Sequence, residues 1–143
     1  MRLSSPAFSN AEPIPEKYTC RGEDISPPLT IEERPATAQT YALIVDDPDA
    51  PSGTWVHWVM YNFDSTDSIE EGARPGVQGM NDFRKTGYGG PCPPEGTHRY
   101  FFKLYALDSE LNLPEGASKE QVERAMQGHI VESAQLVGTF TAR

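Results

Sequence analysis

Two short segments of the chain carry most of the side chains that could do chemistry. They are DDPDAPSGTWVHW at 46–58 and GYGGPCPPEGTHRY at 87–100, and each joins a proline-rich turn to a histidine on a predicted strand. Proline fixes its own φ angle, so such turns hold polar groups in place with little further loss of entropy. Imidazole and phenol groups can donate hydrogen bonds to an oxyanion, and a nearby carboxylate should orient the imidazoles and raise their pKa values. The segments therefore predict a small, preformed anion pocket, with these candidates: Asp47, Asp49, His57, His98 and Tyr100.

Other interpretations of the same residues remain open at the level of sequence. A single buried histidine is usually a core residue, but two histidines, a tyrosine and two aspartates at strand ends favour a functional site. Two histidines and an aspartate are also a common ligand set for zinc or iron; the short spacing of a motif such as HExxH is missing, and we expect neither a metal nor a cofactor. No serine or cysteine lies in a GxSxG-type pattern, so we assign no catalytic residue. His129 follows the apolar stripe of a predicted helix and is interpreted as structural.

The elements that must position these residues are mostly strands, because proline and glycine clusters cut the chain into short apolar runs. Residues 41–46, 54–63 and 98–107 are rich in aromatic and β-branched types and predict three strands. On the third strand, alternation places His98 and Tyr100 on the same side. On the second strand, alternation predicts two opposite sets: Trp55, His57, Val59 and Tyr61, and Val56, Trp58 and Met60.

The rest of the chain predicts a long loop, one helix and a last strand. Residues 64–96 are rich in glycine, proline, asparagine and aspartate without apolar periodicity, which indicates a long irregular excursion between strands. Ser118 and Gln121 have the spacing of a capping box, so a helix should begin there and end near Leu136. Its inner stripe should be Val122, Ala125, Met126 and Ile130, and QLVGTFTAR should form the final strand.

Length and charge limit the classes of function. A chain of 143 residues predicts one domain spanning 1–143. Its net charge of −9 argues against binding to nucleic acid or to anionic membrane surfaces. No apolar stretch has the length of a signal peptide or a membrane span, so we expect a cytoplasmic protein without stable membrane insertion. The two cysteines, Cys20 and Cys92, are 72 positions apart; two free thiols are favoured over a long-range disulfide, which would fit an oxidising compartment or a thermophilic host.

The two polar segments, with YTCRGEDISPPL at 18–29, resemble the phosphatidylethanolamine-binding protein family, in particular its prokaryotic Raf-kinase-inhibitor-like branch. The resemblance runs from about Ser5 to Phe140. It implies a mainly β fold, a two-sheet antiparallel Greek-key sandwich with a few peripheral helices and a small pocket at one end. It also implies a homodimer. Carried over by position, the family's ligand-binding pocket falls on Asp47, Asp49, His57, Pro94, His98 and Tyr100.

The chain departs from the family pattern at the pocket rim. Only three residues separate Pro94 from His98, Arg84 stands where glycine is expected, and the helix that covers the pocket in animal members is not expected here. The resemblance implies a regulatory module that binds a phosphate-type or carboxylate small molecule, or a phosphorylated protein partner, and that inhibits a kinase or serine-protease pathway. A weak hydrolase using the histidine and aspartate pair, and a scaffold with a vestigial pocket, are the alternatives.

Overall fold

Strands account for most of the regular structure in the computed structural model, which describes residues 1–64 and 66–143. The three strands predicted at 41–46, 54–63 and 98–107 are confirmed, each to within one residue. In chain order the elements are β1 (Arg2–Ser4), β2 (Glu12–Pro13), a 3-10 helix (Glu16–Tyr18), β3 (Leu29–Glu32), β4 (Thr40–Asp47), β5 (Trp55–Phe63), β6 (Ser68–Ile69), β7 (Val77–Gln78), β8 (Thr97–Leu107), α1 (Lys119–Met126) and β9 (Ile130–Thr141).

The described part of the chain folds into two sheets. The larger has the strand order β2-β9-β8-β4-β5-β7 and the smaller has the order β1-β3-β6. Neighbouring strands are antiparallel, apart from the two-residue pairing of β2 with β9, which is parallel. The predicted mainly β fold of two sheets is confirmed. The long strands β4, β5 and β8 lie side by side, so the ends that carry the predicted site residues are adjacent.

Both faces of the larger sheet are buried. One face packs on the smaller sheet, and its cluster joins Trp58 and Phe102 to Leu3 and Ile31. The other face, which carries Val59 and Tyr61, is covered by α1 through Val122 and Met126. The strands are therefore enclosed on both sides, and side chains at their ends are held by a packed core.

A β-bulge in β5 changes which residues share a face. Val45 pairs with Trp58 and Asp46 pairs with Val56, which leaves His57 as an extra residue without a partner. Beyond the bulge the alternation shifts by one residue, so Val56 joins the cluster of Val59 and Tyr61 while Trp58 lies on the opposite face. The strict alternation predicted for residues 54–63 is wrong for this reason.

The helix is shorter than predicted, and the last strand is correspondingly longer. The capping box of Ser118 and Gln121 is present, but α1 ends at Met126. Gly128 follows with a φ of 80°, which turns the chain, and β9 then pairs with β8 from Ile130 onward. Ile130 is 47% exposed and does not belong to the inner stripe of the helix. Strand pairing with β8 overrides the local helical pattern of residues 130–136.

Residues 64 and 66–96 are mostly irregular, as predicted, although they contain the two-residue strands β6 and β7; residue 65 of the predicted loop lies outside the described residues. Asn81 organises its central turn: the side-chain oxygen accepts from the N–H groups of Phe83 and Lys85, and the amide nitrogen donates to the Gly87 carbonyl. The turn therefore has a defined shape and presents Phe83 at a fixed position. Within residues 1–64 and 66–143, no helix has the length and apolar character needed to cross a membrane.

Candidate functional site

A cavity of about 210 Å³ lies where β4, β5 and β8 meet the loops at one end of the larger sheet. Five of the six predicted ligand-binding residues line it: Asp47, His57, Pro94, His98 and Tyr100. These five come from three adjacent strands and from the loop before β8. The fold therefore brings together residues that are up to 53 positions apart in the chain.

Asp47 and His98 form a buried pair in the cavity wall. One carboxylate oxygen of Asp47 accepts from the backbone N–H of Asp49 at 2.7 Å, and the other lies 2.6 Å from Nδ1 of His98. A carboxylate accepts hydrogen bonds, so Nδ1 of His98 carries the proton and donates it to Asp47. Nε2 of His98 has no hydrogen-bond partner among the described residues and is the free atom of this pair.

His57 is oriented in the same way by a different partner. Its Nδ1 lies 2.7 Å from the carbonyl oxygen of Gly89, which can only accept, so Nδ1 is again the donor. The N–H of Gly89 donates back to the His57 carbonyl at 2.8 Å, which fixes the bulged residue against the loop. Burial lowers the pKa of His57, against the hydrogen bond to Gly89 and the charge of Asp47, which raise it. The carboxylate of Asp47 thus acts in the expected direction, but the pKa of His57 is lowered overall because burial has the larger effect.

Tyr100 contributes a buried hydroxyl for which the described residues supply no partner. Its side chain is 1% exposed, and the hydroxyl makes no hydrogen bond within the described chain. The ring packs edge-on against His57, with 5.1 Å between ring centroids. Burial first, and then the charges of Asp47 and Asp49, raise the pKa of Tyr100 well above its ordinary value. The hydroxyl therefore keeps its proton and can donate it to a ligand in the cavity.

Aromatic side chains that the sequence patterns did not single out complete one side of the cavity. Phe83 packs edge-on against Trp55 and against His57, with centroid distances of 5.5 and 5.4 Å. Trp55 lies on β5 two residues before His57, so the strand pattern could have predicted that it lies near the cavity. Phe83 lies in the turn organised by Asn81, and its position depends on contacts 26 residues apart, such as the bond from the Val56 N–H to Asp82.

Asp49 lies outside the cavity, in contrast to its predicted neighbours. Its carboxylate accepts two hydrogen bonds from the guanidinium of Arg99, at 2.9 and 2.8 Å, and a third from the Arg99 backbone at 3.0 Å. These bonds to Arg99 lower the pKa of Asp49 to about 2. Asp49 therefore ties the turn after β4 to the start of β8.

The loop before β8 is held by a disulfide. Cys20 and Cys92 are bonded, with 5.5 Å between their Cα atoms, so the prediction of two free thiols is wrong. Cys92 and the two prolines after it, Pro93 and Pro94, line the cavity. We call residues 91–94 the wall loop. The bond joins positions 72 apart, and only the tertiary structure shows that they meet.

Within the described chain, the Tyr100 hydroxyl and Nε2 of His57 and of His98 line the cavity without a hydrogen-bond partner. Two further polar side chains, Ser52 and Trp55, also line it. A neutral imidazole that donates through Nδ1 can only accept through Nε2, and it becomes a second donor when it is protonated. Among the described residues, no group of three or more histidine, cysteine, aspartate or glutamate side chains could hold a metal ion. The sulfur of Cys92 is committed to the disulfide and is not a free nucleophile.

Comparisons with known proteins agree along the whole chain. The family model described as phosphatidylethanolamine-binding protein matches residues 4–141. A protein of Methanothermobacter thermautotrophicus named UPF0098 protein is 52% identical, and one of Chlamydia pneumoniae is 50% identical; each match covers 98% of both chains. Among solved structures, the homologue CT736 of Chlamydia trachomatis has a TM-score of 0.96 at 46% identity and covers 99% of this chain and 97% of its own. Escherichia coli YbcL, described as a member of the same family, has a TM-score of 0.91 at 27% identity. This match covers 99% of the present chain and 98% of YbcL.

Proposed function

The chain belongs to the phosphatidylethanolamine-binding protein family, and from this membership and the free polar atoms of the cavity we propose that it binds a small oxyanion. The bound group is of phosphate type, or a carboxylate, carried by a small molecule. The hydroxyl of Tyr100 carries this proposal, because it is a buried donor that lines the cavity without a partner in the described chain. A buried polar group without a partner costs about 1–3 kcal/mol, and a ligand oxygen would remove that cost.

Binding of an oxyanion takes up a proton. With both imidazoles neutral, Nε2 of His57 and of His98 offer lone pairs, which repel the oxygens of an anion. Protonating either ring turns its Nε2 into a donor and adds a positive charge next to Asp47. The low pKa of His57 makes this uptake costly at neutral pH, so affinity rises as the pH falls.

A phosphate group can bring the proton itself. A monoprotonated phosphate carries one O–H, which can donate to a neutral Nε2, while another of its oxygens accepts from the Tyr100 hydroxyl. Sulfate carries no proton in the neutral range, so an imidazole of the cavity has to take up a proton from solvent instead. At neutral pH, the affinity for a phosphate-type ligand is therefore reduced less than the affinity for sulfate.

Calorimetric titration with sulfate at pH 7.5 and 5.5 tests this proposal. The wild-type protein should bind sulfate more tightly at pH 5.5. Replacing His57 or His98 by alanine should weaken binding at pH 5.5 by about 1.5–3 kcal/mol, the usual contribution of a hydrogen bond to a charged group. The matched control is His129→Ala: His129 is exposed, pairs with Asp108, and does not line the cavity.

Two outcomes would contradict the proposal. Affinity that is the same at both pH values would show that neither imidazole takes up a proton when sulfate binds. Equal affinity in all three alanine variants would show that the cavity histidines are structural and would favour a scaffold with a vestigial pocket. A hydrolase with a side-chain nucleophile gains no support from the geometry, because no serine, threonine or free thiol of the described chain donates to Nε2 of either histidine.

A regulatory role is the wider form of the proposal. In it the oxyanion is a phosphorylated side chain of a partner protein, in a kinase or serine-protease pathway, and membership of the family supports this extension. The test is whether short peptides containing phosphoserine or phosphotyrosine displace sulfate, with the unphosphorylated peptides as controls. If the unphosphorylated peptides displace sulfate as well as the phosphorylated ones do, recognition of the phosphate group is contradicted.

A further inference from the structure

The disulfide between Cys20 and Cys92 lies at the edge of the cavity and joins two solvent-exposed residues. Both cysteines are exposed, and Cys92 lines the cavity while Cys20 does not. An exposed disulfide is accessible to thiols and is more readily reduced than a buried structural one. Reduction would therefore take place beside the ligand.

The disulfide fixes a part of the wall loop that little else holds. On one side of the loop, Gly89 is bonded to His57; on the other, the Gly96 carbonyl accepts from Ala142. Between them, the Pro91 carbonyl accepts from the N–H of Cys20 at 3.1 Å. Residues 92–95 make no backbone hydrogen bond within the described chain, and Pro93 and Pro94 have no N–H to donate.

Other bonds keep the two disulfide-linked segments together without the sulfurs. The Tyr88 hydroxyl donates to the Tyr18 carbonyl at 2.7 Å, and the N–H of Gly90 donates to the Asp24 carboxylate at 2.8 Å. These contacts lie outside residues 92–95. Breaking the disulfide should thus release residues 92–94 of the wall loop while the sheets and the histidines stay in place.

We propose that the Cys20–Cys92 disulfide is a thiol-sensitive control of the cavity, and that its reduction weakens oxyanion binding by freeing the wall loop. The inference rests on the proposed function of the cavity. The reductant is a dithiol. Its first thiolate attacks one protein sulfur and breaks the S–S bond, and the other protein sulfur leaves as a thiolate and takes up a proton. Its second thiolate then breaks the mixed disulfide, so the protein gains two electrons and two protons and the dithiol becomes a cyclic disulfide.

The coupling acts in both directions. If oxidation tightens sulfate binding by a given factor, saturating sulfate must stabilise the disulfide against reduction by the same factor. A coupling of about tenfold, within the usual range, corresponds to a shift of about 30 mV in the two-electron reduction potential. The affinity and the potential are measured independently, so each checks the other.

The test compares sulfate titrations of the oxidised and the dithiol-reduced protein at pH 5.5, with circular dichroism recorded for both. We expect the reduced protein to keep its spectrum and to bind sulfate about tenfold more weakly, and sulfate to lower the reduction potential by about 30 mV. Cys20→Ser, which breaks the bond without altering a cavity residue, should bind like the reduced protein and should not respond to dithiol.

The outcomes are distinct. Equal affinity of the oxidised and reduced proteins would overturn the inference and leave the proposed function intact. Loss of the dichroism spectrum on reduction would also overturn it, because the bond would then support the whole fold. If the oxidised protein itself does not bind sulfate, the proposed function fails, and the proposed redox control of the cavity fails with it.

Discussion

Replacing Tyr100 by phenylalanine separates binding from stability, because it removes one oxygen atom and keeps the buried ring. The hydroxyl has no partner in the described chain, so its loss breaks no internal hydrogen bond. The free energy of unfolding should stay constant or rise by up to about 3 kcal/mol, since a buried unsatisfied group is removed. For a chain of this size that is a rise of at most about 12 °C in the melting temperature. Sulfate affinity should fall by about 1.5–3 kcal/mol, or about ten- to 150-fold.

The chain offers a matched control in Tyr41. Its hydroxyl is also buried, without a partner among residues 1–64 and 66–143, and Tyr41 is 1% exposed and lies outside the cavity. Tyr41→Phe should have a comparable effect on the melting temperature and no effect on sulfate affinity. Thermal melting without sulfate and calorimetric titration at pH 5.5 measure the two quantities. Equal sulfate affinity in both phenylalanine variants would refute the role of the Tyr100 hydroxyl, and a fall in melting temperature confined to Tyr100→Phe would show that the hydroxyl is structural.

Two further changes test the electrostatics of the cavity. Asp47→Asn should bind sulfate more tightly at pH 7.5 and with a shallower pH dependence. Removing the negative charge from the cavity wall should improve the binding free energy by roughly 1–2 kcal/mol. In this variant Nδ1 of His98 can accept a hydrogen bond, so that Nε2 carries the proton and donates to sulfate. Weaker binding with an unchanged pH dependence would contradict this. In buffer without oxyanions, the free energy of unfolding should decrease as the pH falls below about 6.5, because the lowered pKa of His57 means that the unfolded chain takes up the proton first. Urea denaturation at pH 7.5 and 5.5 measures this loss, which should be smaller in His57→Gln; an equal loss in both proteins would assign it to other groups.

Local patterns predicted much of the fold and of the site. The runs at 41–46, 54–63 and 98–107 are long and apolar enough to identify three strands, and the period of two places His98 and Tyr100 on one face. The end of α1 could not be predicted in the same way. Residues 130–136 fit a helical stripe as well as a strand, and pairing with β8 decides between them.

Residue types and spacing also selected the candidates around the cavity, but the direction of each side chain depended on contacts between distant segments. Asp47 and Asp49 are two positions apart in one turn, yet only Asp47 faces the cavity, because Arg99 on β8 binds the carboxylate of Asp49. Phe83 joins the site through a turn that no periodicity marks.

The strand cores, the proline-fixed turns and the chemical character of the pocket follow from residue types and from neighbours close in the chain. The bulge at His57, the bond between Cys20 and Cys92 and the tautomer of each cavity histidine arise only once the chain is folded. Each of these depends on which atoms of remote segments meet. That is set by the pairing register and by packing of the whole chain, which the spacing of residues along one strand does not specify.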